Sequence, residues 1–115
     1  MTLEQFTKSR ATDWPSVTIR RSGAISLNHK AIEDFELKDK EFIALYFDTM
    51  DSIIGIKPLD NNEDPFTFKI TKEKGRTFTI SCQSFLKYFR IPYKETSKVF
   101  KATWDEETTM ILVKL

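Results

Sequence analysis

Lys69, Arg76 and Lys101 stand in short stretches where threonine alternates with apolar residues: "FTFKIT", "GRTFTI" and "VFKATW". "SVTIRR" near the start carries Arg20 and Arg21 in the same rhythm. A period of two belongs to a half-buried strand, with successive side chains on opposite faces. It predicts Phe66, Phe68, Ile70, Phe78 and Ile80 on an inner face. Thr18, Arg20, Thr67, Lys69, Arg76, Thr77, Thr79 and Lys101 are expected on outer faces. Cations among hydroxyls suit a phosphate backbone, and flat side chains suit unpaired bases. Tyr46, Tyr88, Tyr93 and Trp104 are the flat candidates. An ordinary solvated sheet face has the same lysine and threonine pattern.

Charge is segregated along the chain. Residues 33–64 carry ten acids and three bases, whereas residues 66–101 carry nine bases and two acids, although the net charge is only +1. Such asymmetry points to an anionic partner or to self-association through opposite patches.

Other chemistries find little support. His29 is the only histidine and Cys82 the only cysteine, so neither a metal cluster nor a disulfide framework is expected. Cys82 falls at a predicted helix start, a position that can lower a thiol pKa, yet a lone cysteine is more often a buried small side chain. "DNNEDP", residues 60–65, fails as a calcium loop because Pro65 stands where glycine is needed. No phosphate loop, dinucleotide fingerprint or nucleophile–base motif occurs, so neither enzymatic activity, cofactor nor small-molecule substrate is expected. The start lacks a signal pattern and no apolar run reaches the roughly 20 residues of a membrane span. The expected location is cytoplasmic.

The elements that position these residues follow from period and punctuation. Residues 1–15 read as an N-terminal arm. Residues 16–21 and 24–27 form a hairpin through Ser22-Gly23, and Asn28 caps a helix ending near Glu36. "FIALYF", residues 42–47, is apolar on both faces and reads as a central or interface strand. Residues 52–57 return beside it. After the loop 59–65 the pattern repeats, with strands 66–71 and 77–80, Ser81 as cap, a helix to about Phe89, and a closing hairpin from Lys98 to Leu115. Most of the ten phenylalanines are expected in the core.

"GAISLN", residues 23–28, followed by apolar helix positions Ile32 and Phe35, resembles the positive-cofactor-four family of single-stranded DNA-binding coactivators. There a Gly-Ile-Ser-Leu strand leads through a cap residue into a helix. Ala24 is an insertion here, and the family's very basic leading strand is reduced to Arg20 and Arg21. Two such units in one chain resemble the Whirly group.

The expectation is thus an α+β single domain, residues 1–115. It has two related strand-strand-helix-strand-strand units, 16–58 and 66–115, each an antiparallel sheet with one helix. The expected function is non-enzymatic binding of nucleic acid, single-stranded DNA above all, in an accessory or transcription-regulatory role. Its contacts would come from Arg20, Arg21, Lys69, Arg76, Lys101, Tyr88 and Tyr93. A homodimer is expected. The competing expectation is a self-associating assembly module without nucleic acid.

Overall fold

A computed structural model describes residue 3 and residues 14–73, 77–94 and 97–115. The N-terminal arm expected over 1–15 lies almost wholly outside the described residues, as does Arg76.

Among the described residues nine strands and two short helices follow one another as β1 (Ser16–Ile19), β2 (Ala24–Leu27), α1 (His29–Asp34), β3 (Phe42–Asp48), β4 (Ile53–Leu59), β5 (Thr67–Lys69), β6 (Thr71–Glu73), β7 (Thr77–Ser81), α2 (Gln83–Tyr88), β8 (Lys98–Asp105) and β9 (Met110–Lys114). Every strand pairing is antiparallel, in the order β5-β3-β4-β9-β8-β1-β2-β7-β6. The two outermost strands, β5 and β6, are separated by the single residue Ile70, so the chain itself joins the ends into a nearly closed barrel. On the opposite side β8 also serves two neighbours: Lys98–Lys101 pair with β1 and Ala102–Asp105 pair with β9.

This topology corrects the α+β expectation of two units, each with its own sheet and helix. Strands from the two halves pair with each other at β1–β8, β2–β7, β4–β9 and β3–β5. The physical reason is helix length. Each helix has six residues, too few to cover the apolar face of a four-stranded sheet, and rolling all strands into one barrel buries those faces against one another.

Both helices stop by the same device. Glu36 and Arg90 adopt positive φ of 52° and 55° directly after the cap residues Phe35 and Phe89. Leu37 N–H then donates to the Ile32 carbonyl, 3.0 Å, and Ile91 N–H to that of Leu86, 2.9 Å. This is the Schellman pattern, normally built with glycine. Burial of Leu37 and Ile91 offsets the left-handed backbone of a non-glycine residue. With no glycine to mark these ends, apolar periodicity alone carries both helices too far.

Asn28 caps α1 as expected. Its Oδ1 accepts from Ala31 N–H at 2.9 Å and from Ser16 N–H at 3.0 Å, while Nδ2 donates to the Trp14 carbonyl at 3.0 Å. One side chain thus ties helix, first strand and preceding chain together. Asn28→Ala should lower unfolding free energy by about 2 kcal/mol, whereas Asn28→Asp, which keeps both acceptor bonds, should lose about half of that. Urea denaturation of the two variants checks the ranking. The second cap differs from expectation: Ser81 ends β7, and Cys82 holds the cap position without a side-chain bond.

Gly23 is required at the β1–β2 turn. Its φ is +88°, and a Cβ there would lie 2.7 Å from Cβ of Gln83 at the start of α2.

The innermost side chains are branched aliphatics: Val17, Ile25, Leu27, Ile43, Ile54, Ile56, Ile80, Leu86, Ile111 and Val113. The phenylalanines form the margin of this core rather than its centre, which corrects the expectation. Phe78 and Phe85 are buried, while Phe35, Phe47, Phe68, Phe89 and Phe100 pack on the core from its edge. A narrow barrel interior takes compact side chains more readily than rings. The rings instead fasten the helices. Phe35 stacks on Trp104 of β8 at 5.9 Å, and Phe89 meets Phe47 of β3 at 5.2 Å. Phe66, expected inward, precedes β5 and is 82% exposed.

Candidate nucleic-acid interface

The strands β5, β3, β4, β9 and the second half of β8 form one continuous side of the barrel. Its inner face is Ile43, Leu45, Phe47, Ile54, Ile56, Ile111, Val113, Ala102 and Trp104, all buried or packed on the core. Strand alternation sends the intervening residues outward. Tyr46 faces Gly55, Gly55 faces Leu112, and Leu112 faces Thr103, a row running straight across four strands. Lys57 stands beside that row opposite Ala44, and Lys114 on its other flank opposite Ile53. Lys69 lies opposite Phe42 on β5, and Lys101 lies at the bend of β8 opposite Ser16.

Four lysines therefore stand on the face that carries the exposed Tyr46, two on either flank of its row. Lys57, Lys69, Lys101 and Lys114 make no ion pair among the described residues. With strands about 4.8 Å apart, the distance from β5 to β8 across this face is about 19 Å. The acids on the face, Asp48 and Asp105, each accept from a turn through one oxygen. Asp48 Oδ1 accepts from Met50 N–H at 2.9 Å and Asp51 N–H at 3.1 Å, and Asp105 Oδ2 accepts from Thr108 N–H at 3.2 Å.

The sequence-predicted site residues are only partly brought together. Lys69 and Lys101 share this face, on its two margins. Arg20 lies on the other side of the barrel, where its Nε donates to Ser26 Oγ within a row of hydroxyls, Thr18, Ser26, Thr79 and Thr71. Arg21 is exposed in the β1–β2 turn. Tyr88 projects from α2, 79% exposed, with Phe89 edge-on at 4.8 Å, away from the sheet face. Tyr93 is only 5% exposed, and its ring belongs to the core cluster rather than to a stacking surface. Trp104 points inward against Phe35.

Sequence reasoning overlooked Lys57, Lys114 and Gly55. The signal was present in "IIGIKPL": once Ile54 and Ile56 point inward, Gly55 and Lys57 must point outward together, and a lone glycine inside a strand marks a close approach.

Two other features have the make-up of a site but not its chemistry. A groove of about 1020 Å³ runs beside α1, lined by Glu33, Glu36, Asp39, Lys40, Asp60 and Lys72 among others. Lys40 is bound to Asp60 at 2.8 Å and Lys72 to Glu41 at 3.0 Å, so these cations are committed and the groove is a poor anion site. Lys72–Glu41 is also the single ion pair, among the described residues, that joins the basic segment to the acidic one.

Cys82 is buried, and loss of hydration pushes its thiol up to about 12, against a smaller lowering by a backbone hydrogen bond at Ile25. It should resist alkylation at about pH 8 until the chain unfolds. The folded thiol ionises above its ordinary value of 9.0, so its contribution is complete below that pH. Above it, stability should fall by up to about 1.4 kcal/mol per pH unit until the folded thiol ionises. Denaturation of Cys82→Ala, which lacks this slope, checks the assignment.

Among the described residues no helix is long and apolar enough to cross a membrane, and no group of His, Cys, Asp and Glu is placed to hold a metal ion. No protein-family model, no curated protein and no solved structure matches this chain.

Proposed function

We propose that this chain is a non-enzymatic nucleic-acid-binding domain, acting in the cytoplasm, that takes single strands on the outer face of β5-β3-β4-β9-β8. The observation that carries the reading is the placement of four uncommitted lysines on the two flanks of the sheet face that carries Tyr46. Lysines follow phosphates, and an exposed ring offers a stacking platform that an unpaired base can reach. A duplex keeps its bases inside, so a ring on an open sheet favours single strands. The resemblance of residues 23–28 to the single-stranded DNA-binding coactivators points the same way, although those residues form β2 and its cap rather than the face itself.

One feature of this face favours self-association as a second reading. Tyr46, Ile53, Met110 and Leu112 form an apolar centre between the flanking lysines, and such a patch suits a second copy of the chain. Fluorescence anisotropy of a labelled single strand of about 12 nucleotides, within the usual site size of such folds, separates the two when paired with sedimentation. Binding that weakens steeply with salt supports the nucleic-acid reading. A dimer that binds no strand at low salt replaces it with the assembly reading.

A further inference from the structure

The nucleic-acid reading leaves the middle of the face unexplained, and there Gly55 stands out. It lies mid-strand without positive φ, so its backbone does not require glycine. Met110 packs over it: a Cβ at Gly55 would lie 3.0 Å from Sδ of that flexible side chain and at an ordinary 3.5 Å from Tyr46 Cβ. Beside it lies a recess of about 290 Å³ lined by Tyr46, Ile53, Met110 and Leu112, with Asp48 and Asp105 at opposite corners.

The rim is chemically selective. Each carboxylate commits one oxygen to its own turn, Asp48 through Oδ1 and Asp105 through Oδ2. Asp48 Oδ2 and Asp105 Oδ1 make no hydrogen bond among the described residues. Carboxylates only accept, so they favour a ligand edge that donates and disfavour one that presents carbonyls. Their charge also keeps phosphates out of the recess and on the flanking lysines.

Resting on that reading, we propose that the recess receives one unpaired base bearing an exocyclic amine, cytosine, adenine or guanine, stacked on Tyr46 with its amino group at the carboxylate of Asp48, two residues further along the same strand. Thymine and uracil offer no such amine at the equivalent edge. The lysines supply sequence-independent affinity, and the recess supplies base preference.

The test uses the full chain and three labelled strands of equal length: oligo-deoxycytidine, oligo-deoxythymidine and an abasic strand. The cytidine strand should bind about tenfold more tightly than the thymidine strand, with parallel salt dependence because the phosphate contacts are shared. Tyr46→Leu should weaken the cytidine strand toward the abasic one, and Asp48→Asn should erase the preference for cytidine over thymidine. Thermal melts of these variants confirm that they fold. Equal binding of cytidine and thymidine strands, or of cytidine and abasic strands, overturns the base recess while leaving the phosphate-following face in place. Failure of all three strands to bind at low salt overturns the nucleic-acid reading as well.

Discussion

Replacing Lys57, Lys69, Lys101 and Lys114 together by alanine should lower affinity for a single strand about a thousandfold at about 50 mM salt, and flatten its salt dependence. The magnitude follows from counterion release. Four contacts at about 0.7 each give a slope near 2.8 in log affinity against log salt, and the variant should lose most of that slope. Loss should be similar for every base composition, since phosphates carry no sequence information. Folding should survive, because none of the four makes an ion pair among the described residues and exposed charges contribute little to stability. Arg20→Gln with Arg21→Gln, on the far side of the barrel, serves as the comparison and should change affinity little. An unchanged slope in the quadruple variant, with the arginine pair carrying the effect, would move the interface to the hydroxyl row of β1, β2 and β7.

Ile70→Ala should cost about 2–5 kcal/mol of stability, the range for truncating a buried aliphatic side chain. The residue has a second role that makes it informative. It is the sole link between β5, which pairs with β3, and β6, which pairs with β7. Its backbone N–H donates to the Glu41 carbonyl at 2.9 Å, and its side chain is buried at the seam. Loss of packing there should be felt at both strand pairs. Urea denaturation gives the stability loss, and amide exchange locates it: β5 and β6 should lose protection before β1 and β9 do. A uniform loss across all strands, or none at all, would show that the seam at Ile70 does not hold the barrel closed.

Much of the local structure was legible in the residues. The 16–27 hairpin, the Asn28 cap and the strand pair from Phe42 to Lys57 follow from alternation and punctuation, because each of those signals acts over a few residues; Pro58, expected to end the second strand, instead lies within it, and the strand runs on to Leu59. Strand partners were not legible. Alternation identifies an inner face, but nothing local says whether β4 pairs within its own half or with β9. The helix ends were missed because Glu36 and Arg90 take the left-handed position without glycine, held there by the burial of Leu37 and Ile91 elsewhere in the fold. The candidate interface was half visible. Lys69 and Lys101 are on it, but Arg20 and Tyr88 read just as well in sequence and fold to other surfaces. Tyr93 is drawn into the core by the loop that follows α2, a placement that no periodic pattern announces.

The most direct test of the account is a map of backbone amide resonances as a short single strand is titrated into the full chain at low salt. Binding on the proposed face should shift amides of β3, β4, β9 and Ala102–Asp105, with the largest changes at Tyr46, Gly55 and Leu112, while β1, β2 and β7 stay still. Shifts confined to Thr18, Ser26 and Thr79 with the β1–β2 turn, or no shifts at a strand concentration that saturates anisotropy, would contradict it.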